Sequence, residues 1–188
     1  MNFIGLHGHP GVGKSSVALY ISDEYDYQEY AFAAPLKQAA SRIFGINMDH
    51  FSNQDLKNVK DPFWNKTPRE LAQLLGTEAC RKVFGDDIWI RAFEKKLTAG
   101  TVGKRIVFCD VRFPNEMAYI LENKGHIIHL TRPGFDGNIG VPGHASEQEC
   151  ISNFMPHYRR SIHHVENDSD LDFLYDQIDS ILSEIKNG

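Results

Sequence analysis

Short apolar runs alternate along the chain with longer segments whose apolar residues recur every three or four positions. Phe3 to His7 is a short, mostly apolar run broken by Gly8, and Lys14 to Ile21 reads as a helix, so the chain opens as strand, glycine loop, helix. Tyr27 to Ala33 is a candidate second strand. Pro35 suits the first turn of a helix, where its missing N–H costs nothing, and opens a segment carrying Lys37, Ala40 and Ile43 that Gly45 stops. From Ile46 to Lys66 the pattern is polar, irregular and interrupted by Pro62, which predicts an inserted, mobile segment.

Thr67-Pro68-Arg69-Glu70 has the form of a capping box with proline at the first helical position, and so marks the start of the next helix. Asp86 and Asp87 cap a further helix, with Ile88, Trp89, Ala92, Phe93 and Leu97 on one face. Ile106-Val107-Phe108-Cys109 and Ile127-Ile128-His129-Leu130 are continuous rather than alternating runs, the pattern of a parallel sheet buried on both faces. The stretch from Gly134 to Gly143 is rich in glycine and reads as a flexible loop. Ser161 to Val165 is a candidate last strand, and Leu171, Leu174, Ile178, Ile181, Leu182 and Ile185 stripe a closing helix. The sum predicts an α/β domain with a central parallel sheet and helices on both faces.

Composition narrows this. A chain of 188 residues with 41% hydrophobic content and 12 Phe can bury one good core, so 1–188 reads as a single domain. A net charge of -5 excludes the global basic field that drives nucleic-acid binding, and any anion site must be local. Cys80, Cys109 and Cys150, an odd number at wide spacings, fit neither a disulfide framework nor paired zinc ligands, and read as core fillers in a reducing compartment. No apolar stretch is long enough to span a bilayer, so a cytoplasmic protein with no membrane partner is expected. The nine histidines show no metal-ligand spacing.

Gly8-His9-Pro10-Gly11-Val12-Gly13-Lys14-Ser15 matches G-x-x-x-x-G-K-[ST] at every fixed position, between a strand and a helix as that pattern requires. The glycines let backbone N–H groups face a phosphate, and the loop feeds a helix N-terminus whose dipole favours anions. Lys14 would reach the terminal phosphates and the Ser15 hydroxyl would take a magnesium position; Gly8, Gly11, Val12, Gly13 and Ser16 complete the expected nucleotide contacts. The loop alone leaves kinase, GTPase and motor ATPase open.

Asp110 follows a buried strand at its carboxyl end, the edge where ligands of open α/β sheets bind, and is a candidate magnesium partner of Ser15. A helix cap is the competing reading. Arg112 at the same edge suits a phosphate, or pairs with Glu116 one turn on. On the capped helix Arg69, Gln73 and Thr77 recur every four residues along one face. Arg69 there suits a phosphate and Gln73, with a donor and an acceptor on one amide, a base edge, while Gly76 would let a flat ligand approach. A solvated helix face remains open on spacing alone.

The loop, Ala33-Ala34-Pro35-Leu36-Lys37, Thr67 to Glu78, Asp87-Ile88-Trp89, Asp110 to Glu116 and His144-Ala145-Ser146-Glu147 together resemble the deoxynucleoside monophosphate kinases of bacteriophages, within the P-loop nucleoside monophosphate kinase group. The segments Thr67 to Thr77 and Asp110 to Glu116 are the most particular to that family. The resemblance implies a P-loop NTPase fold with an acceptor-binding region at 46–84 and a lid at 133–160. It implies transfer from ATP, with Mg2+, to a deoxynucleoside monophosphate. Lys14, Ser15 and Asp110 would surround ATP and the metal; Lys37, Arg69, Gln73, Thr77, Arg112, Glu116 and Glu147 would serve the acceptor; Asn167 would lie near the adenine. The 134–143 loop carries no arginine, so the cationic contribution expected of a lid falls to Arg132, Arg159 or Arg160, with Arg132 taken as the catalytic candidate. A homodimer in the host cytoplasm is compatible with the resemblance. The rival readings are a P-loop kinase for another small phosphorylated metabolite, such as phosphomevalonate, and a P-loop ATPase that regulates a partner.

Overall fold

A computed structural model describes residues 2–53, 55–100, 102–134, 151 and 154–187. The chain forms two compact units, Met1–Ala31 with Ala99–Gly188, and Phe32–Thr98. The region expected at 46–84 is thus part of a larger unit that also takes in the helices before and after it.

The first unit is a five-stranded parallel sheet in the order β2-β3-β1-β4-β5. The strands are β1 (Asn2–His7), β2 (Gln28–Tyr30), β3 (Arg105–Phe108), β4 (His126–Thr131) and β5 (Ile162–Glu166). The second strand is shorter than its apolar pattern suggested, because only Gln28 to Tyr30 pair with β3. The helices of this unit are α1 (Lys14–Tyr25), α7 (Pro114–Glu122), α8 (Met155–Tyr158) and α9 (Leu171–Asn187).

Continuous apolar strands demand cover on both faces, and the structure supplies it. Ile4, Leu6, Val107, Ile128, Leu130 and Val165 pack with Val17, Ala18 and Ile21 of α1 and Leu174, Ile178 and Leu182 of α9. Each such side chain contributes about 1.5–3 kcal/mol on burial. On the other face Phe3 meets Phe108 edge-on at 5.5 Å and stacks with Tyr119 of α7 at 6.2 Å, while Met117 and Ile120 are fully buried. In the stripe of α9 Leu174, Ile178 and Leu182 are buried and Ile181 and Ile185 half-buried, but Leu171, in the first turn, is 53% exposed. Asp179 of α9 accepts from the hydroxyls of both Tyr20 and Tyr25 at 2.7 Å, which pins α1 to α9.

The second unit holds α2 (Ala34–Phe44), α3 (Asp49–Ser52), α4 (Pro68–Gln73), α5 (Lys82–Phe84) and α6 (Ile88–Thr98). Ala40, Ile46, Phe51 and Leu71 form its core, with Phe44, Ala72 and Leu75 packed against them. The polar stretch at 46–66 is organised by side chains that bond their own backbone, which is why it shows no apolar period. The Asn47 carbonyl accepts from Asp49 N–H at 3.0 Å, that of Asn53 from Asp55 N–H at 2.8 Å, and the Asp61 carboxylate from Phe63 and Trp64 N–H at 2.9 and 3.0 Å. No helix among the described residues is long and apolar enough to cross a membrane.

Candidate functional site

Because all five strands are parallel, their carboxyl ends share one edge, and four candidate segments leave the sheet there: the glycine loop after β1, Asp110 and Arg112 after β3, Arg132 after β4 and Asn167 after β5. The loop's glycines are required by geometry. Gly8 sits at φ +135°, and a Cβ on it would lie 2.2 Å from the Leu130 carbonyl oxygen. Gly13, at φ +108°, precedes the first residue of α1. Both positions are ones that only glycine occupies without strain. The Lys14 ammonium donates to the carbonyls of Gly8 and His9 at 2.6 and 2.7 Å, so the cation is already held within the loop. Ser15 is exposed and Ser16 half-buried, in the first turn of α1.

The second end of the loop is tied to β5. Asn167 Nδ2 donates to the Val12 carbonyl at 3.0 Å, while its backbone N–H donates to Thr131 O at 2.8 Å. The resemblance placed Asn167 by an adenine; here its amide nitrogen serves the loop itself.

Asp110 is half-buried two residues beyond β3. The Tyr30 phenol is pushed up to about 12, first by burial and then by the charge of Asp110. Glu116 is almost fully buried, and its Oε2 accepts from the backbone N–H of Arg112 at 2.9 Å and of Phe113 at 3.1 Å. It was expected among the acceptor contacts; the structure uses this oxygen to cap α7, where free backbone N–H groups attract a carboxylate, and so fixes the backbone from which Arg112 extends. Arg132 is exposed. Glu147 and most of the expected lid lie outside the described residues.

Beneath the loop lies a feature the sequence did not disclose. His7 and His129 are cross-strand partners, each about 95% buried, with their Nδ1 atoms 2.9 Å apart. One ring must donate and the other accept, so the accepting ring is neutral. Burial lowers the His7 pKa to about 3, helped by His129, Lys14 and His9. His126 and His163, 3.1 Å apart across β4 and β5, are also lowered, chiefly by burial. An unfolded histidine binds its proton near 6.5, whereas folded His7 resists protonation until about 3, so stability is complete above 6.5 and falls as pH drops through that window. We expect chemical denaturation of the wild type to lose up to roughly 1.4 kcal/mol per pH unit from His7 between about pH 6.5 and 3. His7→Asn, which keeps a side-chain amide near the Nδ1 position and cannot titrate, should show a shallower slope; an unchanged slope would exclude His7 as its source.

In the second unit the capping box forms as its spelling requires. Glu70 N–H donates to Thr67 Oγ1 at 3.1 Å and Thr67 N–H to Glu70 Oε2 at 2.7 Å, and Arg69 is half-buried in the first turn of α4. After Gln73 the backbone widens into a π-helical segment, Leu74–Arg81, in which the Lys82 N–H reaches back to the carbonyls of Thr77 and Ala79. Arg69 and Gln73 keep their α spacing, and Thr77 lies four residues further on, inside the π-helical segment. Gly76 is buried, and a Cβ on it would lie 2.5 Å from Leu36 Cδ2 of α2. Its missing side chain therefore makes room for Leu36, not for the flat ligand that the spacing suggested. Lys37, the next residue along α2, is half-buried.

Both polar atoms of the Gln73 amide are shielded from solvent and have no hydrogen-bond partner among the described residues. Leaving such a donor and acceptor unmet costs about 1–3 kcal/mol each, a cost that a ligand with a complementary edge removes.

The chain is 32% identical over 165 residues to a protein of Acanthamoeba polyphaga mimivirus assigned as a deoxynucleotide monophosphate kinase, a match covering 81% of this chain and 83% of that protein. It is 24% identical over 184 residues to the deoxynucleoside-5'-monophosphate kinase of Escherichia phage T5, covering 66% of this chain and 73% of that protein. Among solved structures, a gluconokinase from Sinorhizobium meliloti 1021 superposes with a TM-score of 0.51 at 13% identity, over 99% of this chain and 94% of that one, a likeness of fold alone. No protein-family model matches the chain.

Proposed function

The chain belongs to the viral deoxynucleoside monophosphate kinase family, and from that premise we propose that it transfers the γ-phosphoryl group of ATP to a deoxynucleoside monophosphate, giving a deoxynucleoside diphosphate and ADP. The observation that carries the acceptor side is the Gln73 amide, whose buried donor and acceptor match the hydrogen-bonding edge of a nucleobase.

The reaction asks little covalent chemistry of the protein. An oxygen of the acceptor's 5′-phosphate forms a bond to the γ-phosphorus while the bond to the ADP oxygen breaks, and catalysis is alignment plus charge neutralisation. Lys14 leaves the carbonyls of Gly8 and His9 for the more strongly charged terminal phosphate oxygens, and the backbone N–H groups from Gly11 to Ser16 cradle the rest of the chain of phosphates. Arg69 and Lys37 are the candidates for the acceptor phosphate in the second unit, and Arg112 and Arg132 offer positive charge at the sheet edge of the first.

Ser15 and Asp110 offer hard oxygen donors, which would suit Mg2+, an ion that takes one or two protein oxygens and fills its shell with phosphate and water. The ion would neutralise charge on the transferring phosphate.

The test is purified protein with ATP and Mg2+ against each deoxy- and ribonucleoside monophosphate, following diphosphate formation. Diphosphate from at least one deoxynucleotide is expected. ATP turnover that no nucleotide acceptor alters would overturn the assignment in favour of a regulatory ATPase.

A further inference from the structure

We propose that Asn167 is a positioning residue for the phosphate loop: its side-chain amide fixes the Val12–Gly13 peptide so that the Gly13 N–H faces a bound polyphosphate. The inference rests on Gly8 to Ser15 being the triphosphate cradle.

In a trans peptide the carbonyl and the following N–H point in opposite directions. Asn167 Nδ2 holds the Val12 carbonyl at 3.0 Å, so the Gly13 N–H is turned to the side away from the end of β5. The amide also fills the space a side chain at position 13 would need, since a Cβ there would lie 2.9 Å from the same nitrogen. One side chain thus bonds the carbonyl of this peptide and lies against its glycine. That side chain is in turn fixed to the sheet, through the Asn167 N–H on Thr131 O at 2.8 Å and the pairing of Glu166 with Thr131.

Such a brace has something to restrain. Val12 stands between Gly11 at φ +90° and Gly13 at φ +108°, and glycine on both sides makes rotation of the intervening peptides easy. The Val12 side chain is buried in the core against the sheet, which anchors its Cα but leaves the carbonyl free to turn. Without Asn167 the loop would sample orientations in which a carbonyl, not an N–H, faces the phosphates, and each such orientation repels an anion. This role differs from contact with adenine, and the two are separable because a brace acts on any polyphosphate, with or without a base.

The experiment is calorimetric titration of wild type, Asn167→Ala and Asn167→Asp with ATP and with inorganic tripolyphosphate. We expect Asn167→Ala to weaken both ligands by a similar factor of about 10, the worth of one lost charge-directed amide contact. Asn167→Asp, which keeps the volume but sets a carboxylate against the Val12 carbonyl, should weaken both further. In steady state the KM for ATP should rise while the KM for the acceptor stays put. Tripolyphosphate binding that is unchanged in both variants overturns the brace, and an accompanying loss for ATP would then assign Asn167 to the base. A wild type that binds neither ligand would remove the reading of the loop as well. Should Asn167→Ala fold poorly, the isosteric Asn167→Asp carries the same comparison.

Discussion

Lys14→Ala is expected to lower kcat by roughly 10³-fold, about 4 kcal/mol of transition-state stabilisation. The ammonium is the one side-chain cation on the loop, and in the free protein it is held by the Gly8 and His9 carbonyls at 2.6 and 2.7 Å. Those bonds keep it beside the place where charge shifts during transfer, so little reorganisation is needed when phosphates arrive. Lys14→Ala removes the charge and also the internal pin, but both lost contacts are to half-buried carbonyls that water can reach. The fold should survive, with an unfolding midpoint within a few degrees of wild type. Rapid-quench measurement of single-turnover transfer, beside calorimetric binding of ATP, checks this. Near-wild-type transfer by a folded Lys14→Ala protein would end the assignment of the loop as the phosphoryl donor site.

The parts of the molecule that were legible in advance are those where one local rule decides. Buried parallel strands must be apolar throughout, so β3 and β4 announced themselves; a helix start spelled Thr-Pro-x-Glu has few alternatives, so α4 began where expected. The glycine loop was legible because three of its positions need backbone angles or clearances that only glycine meets. What escaped depends on contacts between residues distant in sequence. His7 and His129 stand 122 residues apart, and nothing local says that β1 will lie beside β4 with those two rings in register. Asn167 reads alone as a polar residue after a strand; only the fold brings it to Val12. Gly76 was misread because a missing side chain can clear space for a ligand or for a neighbour, and the choice of Leu36 is made by helix packing. The π-helical segment after Gln73 has no signature at all in residue types.

Arg69→Ala is expected to raise the KM for the deoxynucleotide roughly 100-fold while leaving the KM for ATP within about twofold, since a two-pronged guanidinium contact with a phosphate is worth about 2–3 kcal/mol. The position of Arg69 is set before any ligand arrives. Thr67 and Glu70 lock the first turn of α4 by two reciprocal bonds, and the Thr67 N–H, the largest influence on Glu70, holds its carboxyl below the usual range. Glu70 is thereby committed to the backbone as an anion. One α turn further on, the Gln73 amide offers its unmet donor and acceptor. Two recognition elements four residues apart on one rigid helix suit a ligand that carries a phosphate at one end and a base at the other. Arg69→Lys, which keeps the charge but not the fork, should recover only part of the loss. Steady-state kinetics in each substrate at saturating levels of the other separates the two sides. If acceptor kinetics were unaltered in Arg69→Ala, α4 would not be the acceptor helix and the Gln73 amide would need another ligand.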